Sequence, residues 1–156
     1  MNKKRLELRA HHGLCFNFFE GKGYSEEFTK HMQSVYDTMK NNPDLKVVIK
    51  EDIICQKCPN LLKGVCKTKE LVQGYDHMVL SFCGLKENSQ ISWFEFSRLI
   101  NEKIIIPDQR KSICGNCQWT EVCEQKSIKT SFTDRFIIYI SNFVENKNRE
   151  IIFSAY

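Results

Sequence analysis

The sequence predicts an α+β domain that is mostly helical, with a small two-stranded sheet and two cysteine-rich metal-binding loops. Most segments space their apolar residues three or four apart, as helices do, and only two short segments alternate apolar and polar residues, as strands do. In addition, the motif Cys-x-x-Cys occurs twice. The chain has 156 residues, of which 42% are hydrophobic, so it is long enough to bury a core of its own.

The first half of the chain predicts a strand, a helix and a second strand. Residues 5–10 alternate and indicate the first strand. Ser25 is a good N-cap for a helix that continues to about Met39, because two glutamates follow it and Pro43 lies just beyond the last apolar position. Residues 45–49 alternate again. Two strands joined by a helix predict a parallel pair with a right-handed crossover.

The second half of the chain predicts further helices. One extends from about residue 68 to residue 82, with Leu71, Tyr75, Met78 and Phe82 at helical spacing on its apolar face, and ends at Gly84. Residues 92–95, Ser-Trp-Phe-Glu, form a capping box at the start of a helix that continues to about Ile100. The segment 131–146 is amphipathic and predicts a last helix.

Charge and hydropathy exclude several classes of protein. The net charge is +4, from 23 basic and 19 acidic residues mixed along the sequence, which disfavours nucleic acid as a partner. The most apolar run, 136–140, is far shorter than the ~20 residues that span a bilayer. No segment has the apolar core of a signal peptide. We therefore expect a cytoplasmic protein without a membrane partner.

Eight cysteines are many for the reducing cytoplasm, where disulfides are rare. Six of them form two copies of one motif: residues 54–58, Ile-Cys-Gln-Lys-Cys, precede Val-Cys at 65–66, and residues 113–117, Ile-Cys-Gly-Asn-Cys, precede Val-Cys at 122–123. A Cys-x-x-Cys turn directs two thiolates to one point, and a nearby third cysteine adds another ligand. The pattern predicts metal or cluster ligands at Cys55, Cys58, Cys66, Cys114, Cys117 and Cys123.

Each group of three cysteines needs a fourth ligand from elsewhere, and the sequence leaves its identity open. Cys15 and Cys83 would bring the cysteines to two sets of four. His11 and His12 precede Cys15 by four and three residues, so on a helix they would share its face and could replace a cysteine as metal ligands. For Cys83, which follows apolar residues at the end of a predicted helix, burial in the core is the alternative.

Iron–sulfur clusters suit this arrangement better than zinc. Zinc ribbons pair two Cys-x-x-Cys loops about 15–20 residues apart. Here residues 59–113 separate the loops, and each loop has its own third cysteine. The predicted cofactors are two clusters of the [4Fe–4S] type, with zinc as the alternative.

The predicted function is electron transfer or redox sensing with a redox partner protein. One alternative is an interaction module with structural zinc. The other is an enzyme whose cluster has an open iron, with His11 or His12 as the acid–base group.

Three segments of the chain resemble a prokaryotic family of uncharacterised proteins, domain of unknown function 1284. They are residues 8–15 with His-His-x-x-Cys, residues 21–28, and residues 52–61 with Cys-x-x-Cys-Pro-Asn-Leu. The resemblance extends over about residues 6–125, and the cysteine motif that closes it is similar to the family's. It implies iron–sulfur binding, which is suspected for the family, with an apolar residue often at the position of Cys83.

The predicted domain organisation follows from the position of the last cysteine. Residues 1–128 form a cysteine-rich iron–sulfur-binding domain. The amphipathic segment lies beyond this cysteine and predicts a C-terminal helical extension, residues 129–156, that packs on the domain.

Overall fold

Strand β1 and helix α1 follow each other without a loop and place the N-terminal histidines beside the sheet. The computed structural model describes residues 5–129. A 3₁₀ turn covers Ile54–Lys57 and a π-helical segment covers Asn101–Ile105. The remaining elements, in chain order, are β1 (Leu6–Arg9), α1 (Ala10–Cys15), α2 (Glu26–Met39), β2 (Asp44–Val48), β3 (Leu61–Leu62), β4 (Val65–Cys66), α3 (Lys69–Cys83), β5 (Gln90–Ser92), α4 (Trp93–Ile100), α5 (Arg110–Cys114) and α6 (Thr120–Lys129).

The main sheet has the order β1-β2-β5, and β1 pairs with β2 in parallel through the crossover helix α2. This confirms the predicted strand–helix–strand unit. Leu8, Leu45 and Val47 are fully buried in it. The prediction of two strands misses β5, which pairs antiparallel with β2. Its three residues are too few to show an alternating pattern.

The predicted helix caps of α2 and α4 are confirmed. The Ser25 hydroxyl accepts a hydrogen bond from the amide of Phe28 at 3.1 Å, and the Ser92 hydroxyl accepts one from the amide of Glu95 at 3.3 Å. Each bond satisfies an amide that the first turn of a helix leaves without a partner.

Helix α3 ends at Gly84 in the left-handed conformation (φ 66°), as predicted. Its buried face differs from the predicted one. Leu71 and Met78, which the helical spacing assigned to the apolar face, are 44% and 38% exposed and line an open groove of about 590 Å³ beside α5. The buried face instead consists of Tyr75, Asp76, Val79, Leu80 and Cys83.

Helix α1 lies against α3 and α4 with very little space. A Cβ atom at Gly13 would lie 2.5 Å from Cε1 of Phe96, which is fully buried. Since real Cβ atoms do not approach so closely, a larger residue would push α1 away from α4. Glycine at this position therefore fixes α1 in the core.

The predicted helix 131–146, and with it the C-terminal extension, lies outside the described residues. Between residues 5 and 129, no helix combines the length and the apolar character needed to cross a bilayer.

Candidate metal centres

The two Cys-x-x-Cys turns have the same backbone hydrogen bonds. At 55–58 and at 114–117, the amide of the second cysteine donates to the carbonyl of the first at 3.0 Å. In both copies, the amide three residues further on, Leu61 or Thr120, donates to the carbonyl of the second cysteine, again at 3.0 Å. The sequence repeat is therefore also a repeat of local structure.

The third cysteines lie on different elements. We call Cys55, Cys58 and Cys66 the first triad, and Cys114, Cys117 and Cys123 the second triad. Cys66 lies on the hairpin β3–β4, where its amide donates to Oε1 of Glu51 at 2.9 Å, whereas Cys123 lies in the helix α6. The two triads therefore share their first two positions and reach the third in different ways.

Cys15, at the end of α1, belongs with the second triad. The pKa of the Cys15 thiol is raised well above its ordinary value, first by burial and then by the neighbouring Cys114, Cys117 and Cys123. Cys15 therefore lies within electrostatic range of all three thiols, and neighbouring thiols lose their protons when a cation binds them and compensates their charge. Four cysteines are a donor set that zinc and iron–sulfur clusters commonly use, so these residues are the candidate ligands of one metal centre.

Cys83 lies with neither triad. It belongs to the hydrophobic core, and burial raises the pKa of its thiol to about 11, with Lys103 as the charged neighbour that opposes the shift. Along α3 it is about 12 Å from Tyr75, whose hydroxyl donates to Oδ1 of Asn116 in the second loop at 2.8 Å. The assignment of Cys83 as a ligand remains a prediction that this position does not favour.

His12 lies beside Cys55, the first cysteine of the first triad. Its Nδ1 is 2.8 Å from Oδ2 of Asp52, and the amide of Cys55 donates to the other oxygen of the same carboxylate at 3.2 Å. Within residues 5–129, the donor atoms of His12, Asp52 and Cys55 form the one set of three cysteine, histidine or acidic side chains whose members all lie within 4.8 Å of one another. Burial, followed by the neighbouring Asp52, raises the pKa of the Cys55 thiol to about 12.

His11 has a separate carboxylate partner. Its Nδ1 is 2.7 Å from Oδ1 of Asp76, and its ring lies 4.3 Å from that of His12. Burial and the neighbouring His12 lower the pKa of His11 to about 4, so the imidazole is neutral at pH 7. The structure therefore contains two neighbouring pairs of histidine and aspartate.

A buried charge network supports both histidines. Arg9 and Asp76 are 1% and 0% exposed, and the guanidinium donates to Oδ2 of Asp76 at 2.9 and 2.7 Å. The amide of Arg9 donates to Asp52 at 2.7 Å. Although burial opposes ionisation of Asp52, His12 and the hydrogen bonds to its carboxylate lower its pKa to about 2. The network joins residues that are far apart in sequence, and its one signal in the sequence is a charged residue, Asp76, on the buried face of α3.

Tyr24 indicates that the two triads are near each other. Burial raises the pKa of its phenol, Trp119 opposes this by a hydrogen bond, and Cys58, Cys117 and Cys15 raise it further. Thiols of both triads therefore lie within electrostatic range of one side chain. Helix α1 gives the same indication, because His12 and Cys15 are three residues apart on one face.

These observations define a cysteine-rich α+β protein in which two similar triads flank a helix with two carboxylate-bound histidines. The chain belongs to the family described as protein of unknown function (DUF1284), whose profile matches residues 23–123 and so includes both triads. The match begins after α1, which contains His11, His12 and Cys15. No curated protein and no solved structure matches the chain.

Proposed function

We propose that the protein binds two iron–sulfur clusters and serves in electron transfer or redox sensing in the cytoplasm. The observation that carries this proposal is the proximity of Cys15 to the second triad, because four partly buried thiols from distant parts of the chain have no common role in an apolar core. The first triad repeats the same Cys-x-x-Cys turn and would provide three thiolates for the other cluster.

The spacing of the sulfur atoms favours a cluster over zinc. Four thiolates around one zinc ion at about 2.3 Å lie about 3.8 Å from one another. Among the residues that the structure describes, no three cysteine sulfurs are within 4.8 Å of one another. A cubane cluster places its ligands farther apart, since each sulfur binds a different iron.

The surroundings of the thiols suit a redox centre. The amide of Trp119 donates to the sulfur of Cys117 at 3.4 Å, and such bonds help to set a cluster's potential. Thiols of both triads lie within electrostatic range of Tyr24, and this proximity would favour electron exchange between two bound clusters. When bound, each cluster would accept and donate one electron, and the chain's residues would hold it and exclude water.

An enzyme with an open iron is the second candidate. One observation favours it: the first triad has three cysteines, and Cys83 does not join them. An unligated iron beside His11 or His12 would bind a substrate.

Metal analysis of the protein purified without oxygen tests the proposal. We expect about eight iron and eight sulfide per chain, absorbance near 400 nm, and an EPR signal after reduction. Cys15→Ser should halve the iron content, while the matched control Cys83→Ser should retain it. A colourless protein with stoichiometric zinc, or triads linked as disulfides, would contradict the proposal.

A further inference from the structure

We infer that His12 is the fourth ligand of the first triad, which it binds through Nε2, and that His11 is not a ligand. This inference rests on the proposed function and concerns the identity of one donor. It distinguishes between two histidines that are adjacent in sequence and equivalent in residue type. It also replaces the open iron of the second candidate with a closed Cys₃His site.

The positions of the two imidazole rings favour His12 over His11 as the ligand. One ring nitrogen of His12 lies within 4.8 Å of both a carboxylate oxygen of Asp52 and the sulfur of Cys55, and Cys55 is the first member of the triad. His11 makes its polar contacts with Asp76, on α3, and its ring meets the edge of Tyr75 at 6.2 Å.

The hydrogen bonds of His12 and Asp52 show which of their atoms is available to a metal. The carboxylate of Asp52 already accepts four hydrogen bonds, about the number that two carboxylate oxygens take. Asp52 is therefore a positioning residue and not a ligand. The four donors, at 2.7–3.2 Å, are the amides of Arg9, Ile54 and Cys55 and Nδ1 of His12.

The hydrogen bonds to Asp52 also determine the tautomer of His12. The carboxylate of Asp52 accepts from the backbone amides of Arg9, Ile54 and Cys55, and its Oδ2 lies 2.8 Å from Nδ1 of His12, so Nδ1 carries the proton and donates it to this oxygen. Nε2 then has the free lone pair. An imidazole held in this way by a carboxylate is the usual form of a metal-binding histidine.

The other candidate donors either lie away from the first triad or already have a partner. Cys15 lies with the second triad, and Cys83 lies in the core. Nε2 of His31 is 2.7 Å from the carbonyl of Ile53, which precedes the first loop.

The two centres would then differ in charge. A neutral imidazole in place of a thiolate removes one negative charge from the first centre. Substitution of cysteine by histidine raises cluster potentials in Rieske centres, where it occurs at one iron. We therefore expect the first centre to be reduced before the second.

Pulsed EPR of the reduced, full-length protein, grown with ¹⁵N-histidine, tests this inference without a substitution. We expect a directly bound histidine nitrogen to couple to one of the two cluster signals. The coupling should be lost in His12→Ala and retained in the matched control His11→Ala. His12→Cys, which supplies a thiolate, should keep the full iron content, lose the coupling and lower the potential of the first centre.

The outcomes separate this inference from the proposed function. A protein with two clusters but no histidine coupling, or with coupling that survives His12→Ala or disappears in His31→Ala, overturns the assignment and leaves the clusters in place. A protein without iron and sulfide overturns the proposed function itself. The labelled wild-type protein alone shows whether a histidine nitrogen couples to a cluster. The inference can therefore be contradicted even if a variant misfolds.

Discussion

The two cysteine loops begin alike and end differently. Each starts after a buried isoleucine, Ile54 or Ile113, and makes the same two backbone turns. The first loop then forms a hairpin, and the second enters the helix α6. The comparison shows that the short motif sets the local conformation, whereas the rest of the fold decides which further donors each loop meets.

Helix α1 links the two loops. His12 is near the first triad and Cys15 is near the second, so one helix of six residues serves both. The buried pair of Arg9 and Asp76 stabilises the start of this helix. Substitutions in this network should therefore affect both loops. A substitution that removes a contact of only one loop should affect that loop alone.

The largest effect is expected from Arg9→Met, which removes the support common to both loops. It leaves the carboxylate of Asp76 buried without its cation, and we expect the free energy of unfolding to fall by about 3–5 kcal/mol. Urea denaturation measures this. The control is Lys30→Met, in an exposed pair with Glu26, which should change stability by less than about 1 kcal/mol. Equal losses in both variants would contradict the role of the network.

A smaller effect is expected from acid, and it separates the two histidines. The pKa of His11 is lowered to about 4 by burial and His12, so between this value and 6.5 the unfolded chain binds more protons than the folded one. Stability should therefore decrease by up to about 3 kcal/mol as the pH falls from 6.5 to 4. Denaturation at a series of pH values measures the slope, which should be shallower in His11→Gln. An unchanged slope in that variant would exclude His11 as its source.

The sequence predicts those parts of the molecule that local patterns determine. Strands β1 and β2, the caps at Ser25 and Ser92 and the stop at Gly84 all depend on residues close in sequence. The repeat of the cysteine motif predicts the repeat of its turns for the same reason. Hairpin β3–β4 was missed because strands of two residues have no periodicity to detect.

The donor sets, in contrast, depend on contacts between distant residues. Nothing within residues 10–15 indicates that Cys15 meets the second triad and not the nearer first one. The role of Asp52 is similarly hidden, because its partners Arg9 and His12 are about forty residues away. Sequence reasoning could therefore name the candidate ligands but could not divide them between the two centres.

The smallest effect is expected from Tyr75→Phe, which alters the second loop alone. It removes the hydrogen bond from the Tyr75 hydroxyl to Asn116, and we expect stability to fall by about 1 kcal/mol. Under the proposed function, a chelator should remove iron from the second centre faster than in the wild type. The first centre is the internal control. Equal acceleration at both centres would show that the two loops do not respond separately.

The close contact at Gly13 has a consequence for how the protein would work. Since no methyl group fits between α1 and Phe96, the helix packs tightly against its neighbour, and this packing opposes rolling or sliding. Under the proposed function, the nitrogen of His12 and the sulfur of Cys15 would then keep their places in both oxidation states. A helix held so firmly would lower the reorganisation energy of electron transfer. Glycine at position 13 would therefore favour fast electron transfer without contacting either centre.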